Sequence, residues 1–108
     1  MENQNKINSE NIPVARIVED IVGCKWSLSV IEAVRNDILR PGEIQKSING
    51  ISTKVLNERF NKMIKYGILK KTIFPEVPPR VEYQLTIFGK KFVSVLDQID
   101  SLQKEFDR

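Results

Sequence analysis

Residues 40–86, RPGEIQKSINGISTKVLNERFNKMIKYGILKKTIFPEVPPRVEYQLT, decide the fold. They read as a short helix, a turn, a longer helix and a proline-tipped strand pair, with no spare residue between them. The turn is Asn49-Gly50-Ile51-Ser52. Ser52 can place its hydroxyl oxygen on the orphan N–H groups of the following helix, which is expected to start at or close to Thr53. Leu56, Phe60, Met63 and Ile64 then recur at i, i+4, i+7 and i+8, one apolar face at the helical period. Lys54, Asn57, Glu58, Asn61, Lys62 and Lys65 take the opposite face, and Gly67 can adopt the left-handed conformation that closes a helix. A helix with one packed face and one Lys/Asn face suits a DNA major groove, where its first residues reach base edges.

Outward from this helix the pattern stays consistent. Pro41 fits the first turn of the short helix before it, with Ile44 and Ile48 facing a core. Beyond Gly67 the period changes to that of a strand through Phe74, rich in β-branched and aromatic residues. Pro75, Pro78 and Pro79 bound a stiff loop, Arg80 opens the return strand, and Val81, Tyr83 and Leu85 alternate with polar residues. Thr86 is placed to cap a last helix whose stripe runs through Phe88, Phe92, Val95, Leu96, Ile99, Leu102 and Phe106. On the N-terminal side, Pro13 fits the first turn of a helix bearing Val14, Ile17, Val18 and Ile21 and ending at Gly23. Trp26 opens another, with Leu28, Val30, Ile31 and Val34 at helical spacing. The fold class that follows is mainly α with a small β-hairpin wing: a winged helix-turn-helix flanked by N- and C-terminal helices. Residues 1–10 are polar and expected to be flexible, leaving residues 11–108 as one domain.

Composition narrows the function. A chain of 108 residues, 41% of them hydrophobic, supports one core and one domain. Residues 35–91 carry twelve Lys and Arg against five Asp and Glu, a surplus of seven, while the ends together are acidic by four. A basic centre between acidic ends suits a nucleic-acid face, although a solvated surface alone can also carry such charge. No apolar run is long enough to span a bilayer and no secretory h-region is present, so a cytoplasmic protein is expected, with no membrane partner. The single cysteine, Cys24, agrees with a reducing compartment. Histidine is absent, which removes the common nucleophile pairs and Cys/His metal sets, and no nucleotide-cradling glycine motif occurs. Neither an enzyme nor a bound metal or cofactor is expected.

Gly23-Cys24-Lys25-Trp26, Gly50-Ile51-Ser52 with Leu56, Arg59 and Phe60, Gly67-Ile68-Leu69, and above all the run from Pro75 through Thr86 with Gly89 resemble the HxlR-type transcriptional regulators over roughly residues 13–96. The resemblance implies a dimeric bacterial or archaeal DNA-binding regulator, with the helix after Gly50-Ile51-Ser52 in the major groove and the wing against backbone or minor groove. Two departures stand out. The cysteine that precedes a proline in the N-terminal helix of several members, where it senses electrophiles or oxidants, is replaced here by Ile12-Pro13, and Arg40-Pro41 retains the basic residue but not the aromatic of the family's Arg-Phe.

The candidate DNA-binding residues are therefore Arg40, Ser52, Thr53, Lys54, Asn57, Arg59, Asn61, Lys62 and Arg80. Arg59 can reach a phosphate or pair with Glu58 or a strand carboxylate, and Glu58 can accept from a cytosine amino group or bracket Lys54 and Lys62. Arg80 beside the stiff tip can enter a minor groove or hold phosphate. Trp26 reads as a core anchor more readily than as a ligand contact. The stripe of the last helix exceeds what a small domain needs to cover itself. Val14, Ile17, Ile21, Phe92, Leu96, Ile99, Leu102 and Phe106 are thus expected at a homodimer interface. Cys24 is a candidate redox residue or a small buried apolar one. Partners are duplex DNA and a second copy of the chain; a protein-docking winged helix is the rival reading, since fold alone does not assign function.

Overall fold

The structure, a computed structural model, describes residues 12–108, so the expectation for residues 1–10 lies outside it. Five helices and one hairpin follow in the order α1 (Val14–Val22), α2 (Lys25–Arg35), α3 (Pro41–Ser47), α4 (Thr53–Lys65), β1 (Leu69–Phe74), β2 (Arg80–Leu85) and α5 (Ile87–Phe106). β1 and β2 pair antiparallel from Leu69 opposite Leu85 to Phe74 opposite Arg80. This is the winged helix-turn-helix arrangement. Among the described residues no helix is long and apolar enough to cross a membrane.

Local chemistry sets the boundaries. The Ser52 hydroxyl oxygen accepts from the Val55 N–H at 3.1 Å and starts α4. At the other end Gly67 has φ +78°, and the Gly67 and Ile68 amides bond to the Ile64 and Met63 carbonyls at 2.9 Å each, a Schellman closure that turns the chain into β1. Thr86 does for α5 what Ser52 does for α4: its hydroxyl oxygen accepts from the Gly89 N–H at 2.8 Å, and its hydroxyl donates to the Gly67 carbonyl. Two boundaries differ by a residue from the sequence reading. Pro13 is the N-cap of α1 instead of lying in its first turn, and Cys24 caps α2 one position before Lys25.

The core lies where α1, α2 and α4 meet the wing. Ile21, Val30, Ile44 and Met63 are fully enclosed, and Phe60 stacks on Tyr83 with ring centroids 3.8 Å apart, fixing α4 to β2. The wing is also tied to the α2–α3 connection, since the Tyr83 N–H donates to the Leu39 carbonyl at 2.9 Å. Trp26 is half-buried against this core, as an anchor would be, and its ring approaches the Gly50 turn. Ile64, expected on the packed face of α4, lies at its margin and is exposed.

Burial corrects part of the expected interface. Ile17, Ile21 and Phe92 belong to the protomer's own core, because the α1 stripe packs against α2 and the first turns of α5 pack under the wing. Leu96 is half-buried at its edge, while Val14, Ile99, Leu102 and Phe106 stay exposed. Periodicity marks an apolar face but not which molecule covers it.

The seam between α5 and the wing turns on Gly89. A Cβ there would lie 2.1 Å from the Ile68 carbonyl oxygen and 3.2 Å from Leu85 Cδ2. The first neighbour is backbone and cannot swing away. Gly89→Ala is expected to cost about 3 kcal/mol, the upper end for overpacking, and to lower the melting temperature by more than about 10 °C. Thermal unfolding followed by circular dichroism checks this; an unchanged midpoint would contradict the packing of α5 on the β1 strand entry.

Candidate nucleic-acid interface

α3 and α4 are held at their angle by more than apolar contact. The Gln45 side-chain amide donates to the Ile51 carbonyl at 3.3 Å and to Thr53 Oγ1 at 3.1 Å, locking the turn and the first residue of α4 to α3. Gln45 was not singled out from the sequence, where a glutamine on a short helix carries no signal of its distant acceptor. Arg40, the N-cap of α3, is exposed.

The side chains of α4 divide into three sectors. Leu56, Phe60 and Met63 enter the core. Lys54, Asn57, Glu58 and Asn61 are exposed, and Ser52 and Thr53 stand exposed at the helix start. The third sector faces α1 and α2, and it takes two of the expected DNA contacts. Lys62 Nζ lies 3.1 Å from Asp20 Oδ2 of α1, so Lys62 braces two helices and Glu58 does not bracket it. Arg59 pairs with neither Glu58 nor a strand carboxylate; its Nη1 donates to Cys24 Sγ at 3.3 Å. The Tyr66 hydroxyl donates to the same Asp20 carboxylate. That hydrogen bond, with Lys62 and Arg59 nearby, holds the Asp20 carboxyl below its usual range against an opposing effect of burial. A depressed carboxylate stabilises the fold above its unfolded value, and the contribution is lost as the pH falls through the lower folded value. Asp20 and Tyr66 also escaped the sequence reading, because nothing local to either pairs an acid in α1 with the end of α4.

Arg80 sits where expected, at the first position of β2, but it is engaged. Its guanidinium carbon lies 4.0 Å over the Phe74 ring, Nη2 is 3.3 Å from Glu76 Oε2, and Nε is 3.6 Å from Glu82 Oε2. Stacking plus two carboxylates makes Arg80 a brace across the wing. Pro75, Val77, Pro78 and Pro79 are left exposed at the tip. Lys70 and Lys71 on β1 and Lys46 on α3 are exposed as well, adding positive charge that was counted in the sequence but not assigned.

The structure therefore brings Ser52, Thr53, Lys54, Asn57 and Asn61 together on the open side of α4, with Arg40 exposed at the start of α3. It turns Arg59, Lys62 and Arg80 toward the protein. This open side offers hydroxyl, amide and ammonium groups on a single helix, the donor and acceptor set that reads base edges and phosphates.

Comparison with known proteins gives the same direction. The model of the HxlR-like helix-turn-helix family matches residues 21–108. An uncharacterised HTH-type transcriptional regulator of Synechocystis sp. is 33% identical over 94 residues, spanning 87% of this chain and 69% of the relative. The uncharacterised HTH-type transcriptional regulator YvaP of Bacillus subtilis is 31% identical over 98 residues, 91% of either chain. Among solved structures, a MarR-family transcriptional regulator from Enterococcus faecalis V583 superposes with a TM-score of 0.76 at 29% identity, covering 99% of this chain and 90% of that one.

Proposed function

Because this chain belongs to the HxlR-like helix-turn-helix family, and is thus an HTH-type transcriptional regulator and not an enzyme, we propose that it binds specific duplex DNA as a homodimer. α4 is the recognition helix, entering the major groove with Lys54, Asn57 and Asn61 toward the bases and Ser52, Thr53 and Arg40 toward phosphates. The wing lies along the adjacent backbone, with Lys70 and Lys71 contributing charge and Arg80 holding the hairpin in shape.

The observation that carries this reading is the open polar side of α4. Lys54, Asn57 and Asn61 are exposed there, whereas the basic residues on the inner flank of the same helix are engaged with α1 and α2. An asparagine amide can bond an adenine edge with two hydrogen bonds, and a lysine can reach guanine.

Selection of binding sites from random duplexes tests it. A Lys54→Ala/Asn57→Ala double variant is expected to lose discrimination by about 1–3 kcal/mol at each base it no longer reads, with its preferred site changed. If the double variant selects the wild-type site with the same stringency, α4 is not the reading element. The dimer is expected to set its two copies of α4 about one DNA turn apart, roughly 34 Å, so that selected sites are inverted repeats.

A further inference from the structure

The connection between α3 and α4 leaves one hydroxyl on the open side of α4 with its direction already set. Gln45 on α3 is half-buried, Thr53 is the exposed first residue of α4, and the Ile51 side chain between them lies in the core. A carbonyl oxygen can only accept, so the Gln45 amide must turn its nitrogen to the Ile51 carbonyl, 3.3 Å away. The same nitrogen lies 3.1 Å from Thr53 Oγ1, which places one amide N–H on each oxygen. Thr53 Oγ1 therefore receives a hydrogen bond from within the protein and keeps its own proton to give. Among the described residues that proton has Gln45 Oε1 as its acceptor, at 3.4 Å, beyond the roughly 3.0 Å of a good O–H···O bond. An ionised oxygen arriving from solvent takes it instead, because charge-assisted hydrogen bonds are shorter and about twice as strong as neutral ones. Ser52 differs: its oxygen is spent on the Val55 N–H of α4 itself, with no tie to α3.

We propose that Gln45 is a positioning residue for DNA binding, holding the Thr53 hydroxyl as a donor toward one backbone phosphate. The inference rests on the DNA-binding function proposed above and adds how one of its contacts is made. A phosphate oxygen offers only lone pairs, which matches a hydroxyl whose acceptor side is already filled. Because Gln45 arrests the rotation of that hydroxyl before DNA arrives, less ordering cost remains on docking. The amide that orients Thr53 also holds the Ile51 carbonyl, so α3, the turn and α4 meet the phosphate as one unit. A contact of this kind sets the register of α4 in the groove and carries no base information of its own.

The test uses the full chain, its selected duplex, and a series of duplexes each bearing one methylphosphonate, which removes the charge and one free oxygen of a single phosphate. At one linkage in each half-site this replacement is expected to cost the wild type at least about tenfold more affinity than it costs Thr53→Val, with Thr53→Ser responding like the wild type. On the unmodified duplex Gln45→Ala is expected to weaken binding about tenfold alone but no more than about threefold beside Thr53→Val, since its effect passes through that hydroxyl. A glutamine that merely braced the turn would cost the same in both backgrounds. Thermal melting checks each fold. Should Gln45→Ala not melt cooperatively, Gln45→Glu is read in its place: it keeps the length, has no donor, and takes the Thr53 proton itself. Its added charge is common to both backgrounds, so its loss is still expected to shrink beside Thr53→Val. Equal losses from replacing Gln45 with and without the Thr53 hydroxyl overturn the positioning role. If no linkage has a cost that depends on Thr53, or if Thr53→Val selects a different base sequence, phosphate is not the partner of the hydroxyl. A wild type that binds no duplex overturns the DNA-binding reading itself, and this contact with it.

Discussion

Binding of the selected duplex is expected to weaken about a thousandfold between roughly 50 and 200 mM monovalent salt. The magnitude follows from how many cations are free to meet phosphate. Of the basic residues between positions 35 and 91, Arg35 is held by Asp97 at 2.9 Å, Lys62 by Asp20, and Arg80 by Glu76, while Arg59 faces Cys24. Arg40, Lys46, Lys54, Lys70 and Lys71 are exposed on α3, α4 and the wing. If three of them in each subunit replace condensed counterions, a dimer makes about six phosphate contacts, and the logarithm of affinity falls with a slope near −5 against the logarithm of salt. Fluorescence anisotropy across that salt range measures the slope directly. A flat curve would remove the electrostatic basis of DNA binding. A Lys54→Gln variant, lost from both subunits, should reduce the slope by about 2 if Lys54 touches phosphate and leave it nearly intact if Lys54 touches only bases.

How much of this was legible beforehand follows from the range over which each residue acts. The capping bonds of Ser52 and Thr86 join groups three positions apart, and Gly67 closes a turn by its own conformation, so these roles could be read from spacing, whereas the second bond of Thr86, to the distant Gly67 carbonyl, could not. The prolines at the wing tip act through their own rings. Arg59, Lys62 and Arg80 are different. A basic residue on a helix facing away from the apolar stripe reads as solvent-exposed or DNA-facing, and only tertiary packing places Cys24 and Asp20 beside the first two. For Arg80 the two carboxylates and the aromatic ring were in view in the sequence, but the hairpin register that brings Phe74 opposite it was not. The same limit explains Ile17, Ile21 and Phe92. Period 3.6 identifies a face to be covered; whether the protomer or a partner covers it is a property of the assembled helices.

The unpartnered half of α5 makes the strongest demand on assembly. Its first turns bury Phe92 and Val93, but beyond Leu96 the stripe continues through Ile99, Leu102 and Phe106, which are 39%, 67% and 84% exposed. Val95 beside them and Val14 on α1 are exposed too. Full burial of a side chain of this size stabilises by about 1.5–3 kcal/mol, and a two-fold axis counts each one twice, enough to offset the cost of association. Ile99→Asp with Leu102→Asp is therefore expected to give a monomer. Because both side chains lie outside the protomer core, that monomer should keep the far-ultraviolet spectrum and cooperative melting of a folded domain; Phe92→Asp, by contrast, should unfold it. Light scattering is expected to report half the wild-type mass at about 10 μM, where a dimer of this apolar character remains associated. Affinity for an inverted repeat should fall at least a hundredfold, since the second half-site no longer benefits from the effective concentration that a partner supplies. A double variant that still scatters as an intact dimer would place the interface elsewhere on the molecule, and a wild-type protein that scatters as a monomer would leave the apolar end of α5 to a different partner.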